Sequence, residues 1–287
     1  MKSKTPLFLL LPALALIAFN SIFPTLYVLY LSFNRYFMTG KAIEMFFVGL
    51  DNYRFLFSDA DFWASLYRGS IFSIICLAIE VPLGLLLAYI AKDLPRKLRT
   101  ACTMIFCAPL LIPNVAVGCT WMLYVRGWFS LLPNLLHRIG IHYSLSNPVH
   151  AWWTVVAMDV WHWTGFIYLV CLAGFYATPP EYLEAVAIDR AGAWGTFKYA
   201  YWPFLRFPLF VGILIRFMDS FRIYDEVMVL TAGGPGTTTR FLSLYTVGKA
   251  LTEFNVGLGS AVSLVYLYII IAVCAIFMIG LTLGERR

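Results

Sequence analysis

Three sets of polar side chains lie where an apolar sequence makes them expensive, and their spacing defines what each could do. Asp159, His162, Trp163 and Phe166 stand at i, i+3, i+4 and i+7, on one face of a helix. A carboxylate and an imidazole exchange hydrogen bonds with hydroxyl groups, and aromatic planes cover C–H faces, so this face could take a sugar or polyol; the same residues could equally be helix packing. Arg216, Asp219, Arg222 and Asp225 form a second set, a ladder of alternating sign at three-residue intervals followed directly by Glu226. Each step falls about 60° short of a full turn, so on one helix the ladder would wind halfway round. Neighbours can pair, but four cannot hide against one partner. A charge at the centre of a lipid-spanning helix costs roughly 2.5–3.5 kcal/mol, so Asp219, Ser220, Arg222 and Ile223 are expected to line a water-filled path. Arg216 and Asp225 read equally well as self-neutralising members. The third feature is Glu80, two residues before Pro82, a buried acid expected to pair with an arginine of the ladder.

The surroundings are those of a membrane. Of 287 residues 61% are hydrophobic and 13% charged, against roughly 25% charged in a soluble domain. The net charge of +6 does not indicate nucleic acid, because the basic residues gather at the ends of apolar runs, as the positive-inside rule requires. Cys76, Cys102, Cys107, Cys119, Cys171 and Cys274 lie in or beside apolar segments with no C-x-x-C pair, and read as small hydrophobes. His137, His142 and His150 lack metal-ligand spacing, so no metal site is expected. The chain has no G-x-x-x-x-G-K-[ST], H-E-x-x-H or G-x-S-x-G, so an enzyme with its own nucleotide or nucleophile chemistry is disfavoured.

A span needs about 20 apolar residues. Six candidates run over 6–33, 67–91, 100–125, 152–177, 206–230 and 259–283, giving an all-α integral membrane protein in a single domain, 1–287. The first run resembles a secretory signal but is longer than an h-region of about 7–15 residues, so it is expected to be an uncleaved span. Basic residues cluster at Lys2 and Lys4, at Lys92, Arg96, Lys97 and Arg99, at Arg190 and Lys198, and at Arg286 and Arg287. All lie on one side, which places both termini in the cytoplasm. The segment 126–150 is expected along the outer surface, and Trp152 and Trp153 near the outer interface as anchors.

The cytoplasmic segment 178–203 between spans 4 and 5 opens on a helix-start signature. Thr178 is placed to cap, Pro179 suits the first turn, and Glu181 follows three residues after the cap. Gly192 offers a left-handed stop, and a second short helix is expected over 193–201, before Pro203. Two short helices carrying Glu184, Asp189, Arg190 and Lys198 outside the membrane look like a docking surface.

Glu184-Ala185, then Asp189, Ala191 and Gly192, then Pro203, resemble the cytoplasmic loop of permease subunits in binding-protein-dependent ABC importers, whose pattern is E-A-A, two residues, D-G-A and a later proline. Val186 stands where the second alanine is usual and Arg190 where glycine is usual. Phe47 to Tyr53, after the first span, and the turn Leu230 to Gly236 resemble the sugar-type (maltose/glycerol-phosphate-type) importers. The resemblance implies a subunit of the bacterial or archaeal cytoplasmic membrane that pairs with a second permease, as a heterodimer, and receives solute from an extracytoplasmic binding protein. It implies two ATPase subunits, which bind ATP and Mg while this chain holds no cofactor, docking on Glu181, Glu184, Ala185, Asp189, Arg190, Ala191 and Gly192. It also implies solute contacts in the span after that loop. The near balance of Asp159, Asp219 and Asp225 against the arginines favours a neutral sugar or small glycerol-like polyol; a phosphorylated solute would use Arg216 and Arg222. The alternative is a secondary transporter or channel using the ladder as an ion relay.

Overall fold

The computed structural model describes residues 5–38, 44–126 and 130–285. Lys2, Lys4, Arg286 and Arg287, used above for orientation, lie outside the described residues. The chain divides into two compact units, 1–64 with 244–287, and 65–243.

In the first unit, α1 (Thr5–Ser32) packs along α13 (Val256–Glu285). Both are apolar on all sides, as spanning helices are, and α1 tolerates Pro12 and Pro24 within it. The all-helical expectation is corrected by a hairpin, β1 (Asn34–Phe37) antiparallel to β2 (Glu44–Phe47), with Asn34 opposite Phe47. Its aromatic residues favour a pleated surface over another helical turn. The phrase from Phe47 to Tyr53 is a clamp. Asn52, in α2 (Asp51–Ser58), donates to the backbone oxygens of Ser32 at 2.8 Å and Asn34 at 3.0 Å, while the Tyr53 hydroxyl meets that of Ser32 at 2.7 Å. The two Asn52 bonds satisfy carbonyls at and just beyond the end of α1.

The second unit carries the polar residues of interest. Its apolar core joins α3 (Ala60–Ala91), α7 (Pro148–Tyr176) and α10 (Trp202–Phe221) through Ala88, Ile167, Tyr168, Cys171, Leu205 and their neighbours. Helix α7 starts earlier than expected because the Asn147 side chain caps the backbone N–H groups of Val149 and His150, with Pro148 in the first turn. At Gly165, α7 lies directly on α4 (Arg96–Cys107): a Cβ there would sit 2.2 Å from the Phe106 carbonyl oxygen. Trp152 packs edge-on to Phe72 and Phe241, whereas Trp153 is exposed.

Two expected spans are broken. The third divides into α4 and α5 (Asn114–Val125), bent by 99° around a 3₁₀ turn, 108–111, with Pro109 inside it and Pro113 after it. Proline withholds a donor, and Pro113 holds the preceding Ile112 extended, at ψ 126°. The fifth ends at Phe221, and after three non-helical residues a short α11 (Asp225–Leu230) resumes. Among the described residues four helices are therefore long and apolar enough to cross a membrane, or five if the bent pair is one span, rather than six uninterrupted ones.

The segment 178–203 is helical but built differently from expectation. Pro179 occupies the cap position of α8 (Pro180–Ile188), and the buried Thr178 hydroxyl has no hydrogen-bond partner. Arg190, not Gly192, is the left-handed residue, at φ 51° against −68°. The bonds from Ala191 N–H to Val186 O at 2.9 Å and from Arg190 N–H to Ala187 O at 3.1 Å form a Schellman stop, whose geometry demands that conformation at residue 190. Nor does a second helix end before Pro203. The turn Ala193–Thr196 (α9) passes through a π-helical turn, Phe197–Tyr201, straight into α10. The wider turn accommodates a proline that has no N–H for the carbonyl four residues back.

Gly165→Ala is expected to lower the unfolding midpoint of the purified chain, by an overpacking cost of about 1–3 kcal/mol. Gly192→Ala, where a Cβ meets nothing within 4 Å, should leave it unchanged. Equal midpoints would contradict the close α4–α7 approach. Arg190→Gly should raise stability by about 1 kcal/mol by relieving the left-handed residue, and a loss instead would argue against this helix stop.

Candidate functional site

A fully buried guanidinium organises the centre of the second unit. Arg216, on α10, donates from Nε to Glu80 Oε2 at 2.8 Å and from Nη2 to Glu80 Oε1 at 3.0 Å, a two-pronged grip on α3. Nη2 also donates to Asp159 Oδ2 on α7. Nη1 lies 3.5 Å from Asp219 Oδ2 one turn along α10, and the guanidinium carbon is 4.9 Å from the centre of the Trp163 ring. Arginine suits this place because its planar fork meets two carboxylates and an aromatic face at once. The expected pairing of Glu80 with a ladder arginine is present, and Arg216 provides it.

Beside this cluster the break between α10 and α11 opens into a cavity of about 300 Å³. Asp159, Asp219, Arg222 and Ile223 line it, together with Asn114, Tyr224, Asp225 and Glu226. Ser220 is buried, its hydroxyl bonded to Phe217 O at 3.1 Å. His162 is buried too, with Nδ1 3.8 Å from Glu226 Oε1. Trp163 lies under Arg216, with the Phe166 ring edge-on to it at 6.3 Å. The ladder is thus divided: Arg216 and Asp219 lie on α10, Arg222 follows its last residue, and Asp225 opens α11. The winding expected of one helix does not occur. Helix α11 packs on α5 closely enough that a Cβ at Gly118 would be 2.9 Å from the Glu226 carbonyl oxygen, so both broken spans meet here.

Asn114 and Tyr224 were not singled out from sequence. The signal for Asn114 is a polar residue directly after Pro113 in an apolar run, where a helix must restart; Tyr224 offers none. A larger cleft of about 570 Å³, walled by α3, α4 and α7, presents Ile79, Leu83, Trp153 and Val160 and offers hydroxyl groups almost nothing. Cys76, Glu80 and Asp159 place ligand-type atoms within 4.8 Å of one another, but Arg216 already takes both carboxylates, so the cation of that cluster is the protein's own.

In the α8 segment, Glu181, Glu184, Ala185, Asp189, Arg190 and Gly192 are exposed, and Ala191 is half-buried. They share the surface with Ile188 and Trp194, which are 81% and 74% exposed and would suit an apolar contact. At the end of α3, Lys92 Nζ lies 4.5 Å from the Tyr89 ring and 5.0 Å from the Tyr201 ring of the π turn. Burial pulls its pKa down, but the hydrogen bond it donates to the Asp93 carboxylate and the neighbouring Tyr201 outweigh that and hold the ammonium above the usual lysine value. It stays charged at neutral pH.

Residues 80–287 match the family described as binding-protein-dependent transport system inner membrane component. The chain is similar to the trehalose/maltose transport system permease protein MalF of Thermococcus litoralis, 30% identical over 285 residues, 96% of this chain and 93% of that one. It is also similar to the sulfoquinovosyl glycerol transport system permease protein SmoG of Agrobacterium fabrum, 25% identical with 94% and 88% covered. Its fold matches a chain of a solved bacterial ABC transporter involved in import of the acidic polysaccharide alginate, with TM-score 0.81 and 18% identity over 96% of this chain and 94% of that one.

Arg216→Met should cost about 3–5 kcal/mol, because Glu80 and Asp159 are left charged and unpaired. Adding Glu80→Gln should recover part of the loss, and Arg216→Lys should behave worse than parent because it cannot grip Glu80 at two points. Thermal unfolding in detergent reads all three; parent-like stability of Arg216→Met would show that the cluster bears no such load.

Proposed function

The chain belongs to the family of binding-protein-dependent transport system inner membrane components, and from that premise we propose that it is the permease subunit of an ATP-driven importer of a neutral sugar or small, glycerol-like polyol. It forms part of the translocation path and is driven by a separate ATPase. The observation that carries the solute reading is the cavity at the α10–α11 break, where Asp159, Asp219, Arg222 and Asn114 offer hydrogen-bond partners to hydroxyl groups. A phosphorylated solute is the poorer fit, because Arg216 is spent on Glu80 and Asp159. That leaves Arg222 as the arginine lining the cavity, among four carboxylates. The relatives named for trehalose/maltose and sulfoquinovosyl glycerol support a carbohydrate or carbohydrate-like solute.

The assembly that fits this role has a second permease subunit, two ATPase subunits that bind ATP and Mg, and an extracytoplasmic solute-binding protein. It sits in the cytoplasmic membrane of a bacterium or archaeon with both termini inside. The ATPase docks on the exposed α8 segment, where Glu184 and Asp189 offer charge and Ile188 and Trp194 apolar surface. Because α9, the π turn and α10 are continuous, closure of the ATPase pair would reach the cavity by rigid-body movement. An ion relay along the ladder is disfavoured: the helix ends between its second and third members, and its first is locked in a buried cluster.

Glu184→Lys and Asp189→Lys are expected to lower solute uptake by membrane vesicles roughly tenfold or more, the effect of losing about 1.4 kcal/mol of docking. ATP hydrolysis should continue unlinked to uptake, and insertion in the membrane should be normal. Parent-level uptake in both variants would sink the docking role.

A further inference from the structure

A lysine that ends a lipid-spanning helix ordinarily extends its ammonium into water. Lys92, directly after α3, does not. Its side chain is 9% exposed and turns back onto a box of rings: Tyr89 from α3, Phe175 from α7, and Phe197 and Tyr201 from the first and last positions of the π turn. The rings hold one another edge-on, Phe175 meeting Tyr201 at 5.1 Å and Tyr89 at 5.9 Å, while Tyr89 meets Phe197 at 6.4 Å. The ammonium lies 4.5 Å from the centre of the Tyr89 ring and 5.0 Å from that of Tyr201, and the exposed Asp93 carboxylate accepts its hydrogen bond. The backbone of the same residue is engaged as well. The Tyr176 hydroxyl, at the end of α7, donates to Lys92 O at 3.1 Å, and the Arg99 guanidinium of α4 lies 4.9 Å from the Tyr176 ring. Lys92 thus joins the ends of α3, α7 and α10, the same helices that Arg216 joins through Glu80 and Asp159. The π turn is where the chain from α8 enters α10, and its geometry is looser than that of an α-helix. A displacement of α8 passes through it only if residues 197–201 keep their place.

We propose that Lys92 is a positioning residue for energy coupling: its ammonium, gripped by Tyr89 and Tyr201, fixes the π turn to α3 and α7, so that a shift of the α8 segment reaches the break between α10 and α11. A cation between two rings serves this purpose because it attracts both faces at once without demanding one hydrogen-bond geometry. The proposal rests on the reading above that a separate ATPase docks on the α8 segment.

The test uses the whole transporter, with its partner permease and ATPase subunits, in lipid nanodiscs. Amide hydrogen exchange is followed over 180–188 and over 219–226, with and without trapping by ATP, Mg and vanadate. In the parent, trapping should slow exchange over 180–188, where the ATPase closes on the segment, and change it over 219–226. Lys92→Met keeps most of the apolar stem and loses the charge. It should retain the first response and diminish the second by about threefold or more, the scale of one cation–π contact. Lys92→Arg, still able to lie over the rings, and Tyr201→Phe should respond as parent, and Tyr201→Leu as Lys92→Met. If Lys92→Met does not assemble, Tyr201→Leu decides. A lysine that served stability alone would instead lower the unfolding midpoint and raise exchange over both segments before any nucleotide is added, and that result overturns the proposal. So does an undiminished response over 219–226 in Lys92→Met and Tyr201→Leu, or no response there in a parent whose 180–188 segment is protected. Absence of protection over 180–188 in the parent would defeat the docking reading itself, and the proposal with it.

Discussion

One guanidinium sets the terms for the second unit. Arg216 lies in an apolar interior where a lone charge is prohibitive, so Glu80 from α3 and Asp159 from α7 must meet it, and the three helices are fixed in mutual register. The net stabilisation of such a cluster over apolar packing is small or negative, because three groups lose their hydration. Its effect is on specificity: a slip of any one helix by a turn would leave an unmatched charge in the core.

The cavity follows from where that cluster sits. Non-helical backbone is tolerated at membrane depth where it is buried in protein or borders a water-filled space, and the two broken spans meet at one such place. Pro113 stops one helix and Asn114 restarts it. Phe221 ends another and Asp225 begins the next, with Asp225 and Glu226 placed where the partial positive charge of a helix start favours acids. Gly118 lets the two short helices come within contact of backbone, closing one wall.

How much of this the sequence disclosed depended on the range of the cause. Apolar length marked α1, α3, α7 and α13 because lipid acts on each helix alone. The charges of the fifth span were visible for the same reason, and Glu80 could be matched to an arginine by sign. The division of the ladder was not legible, since nothing at Arg222 or Ile223 forbids helix locally. At Arg190 sequence reasoning moved the turn to the neighbouring glycine, but a six-to-one bond fixes the left-handed place by count from the helix and not by residue preference. Thr178 illustrates the reverse error, a good cap residue one place too early for the proline that starts α8. The hairpin of the first unit was hidden because two four-residue strands carry too little periodicity to outweigh the apolar runs around them.

The unbroken passage from Ala193 to Phe221 has a mechanical meaning. At 1.5 Å per residue it is a rod of roughly 40 Å, so a tilt of about 5° about one end sweeps the other through about 3–4 Å. Asp219 and Ser220 ride close to the far tip, with Pro203 and its π turn as the point of least bending stiffness. A stiffer turn there would transmit more of any displacement, and a softer one would absorb it before it arrived.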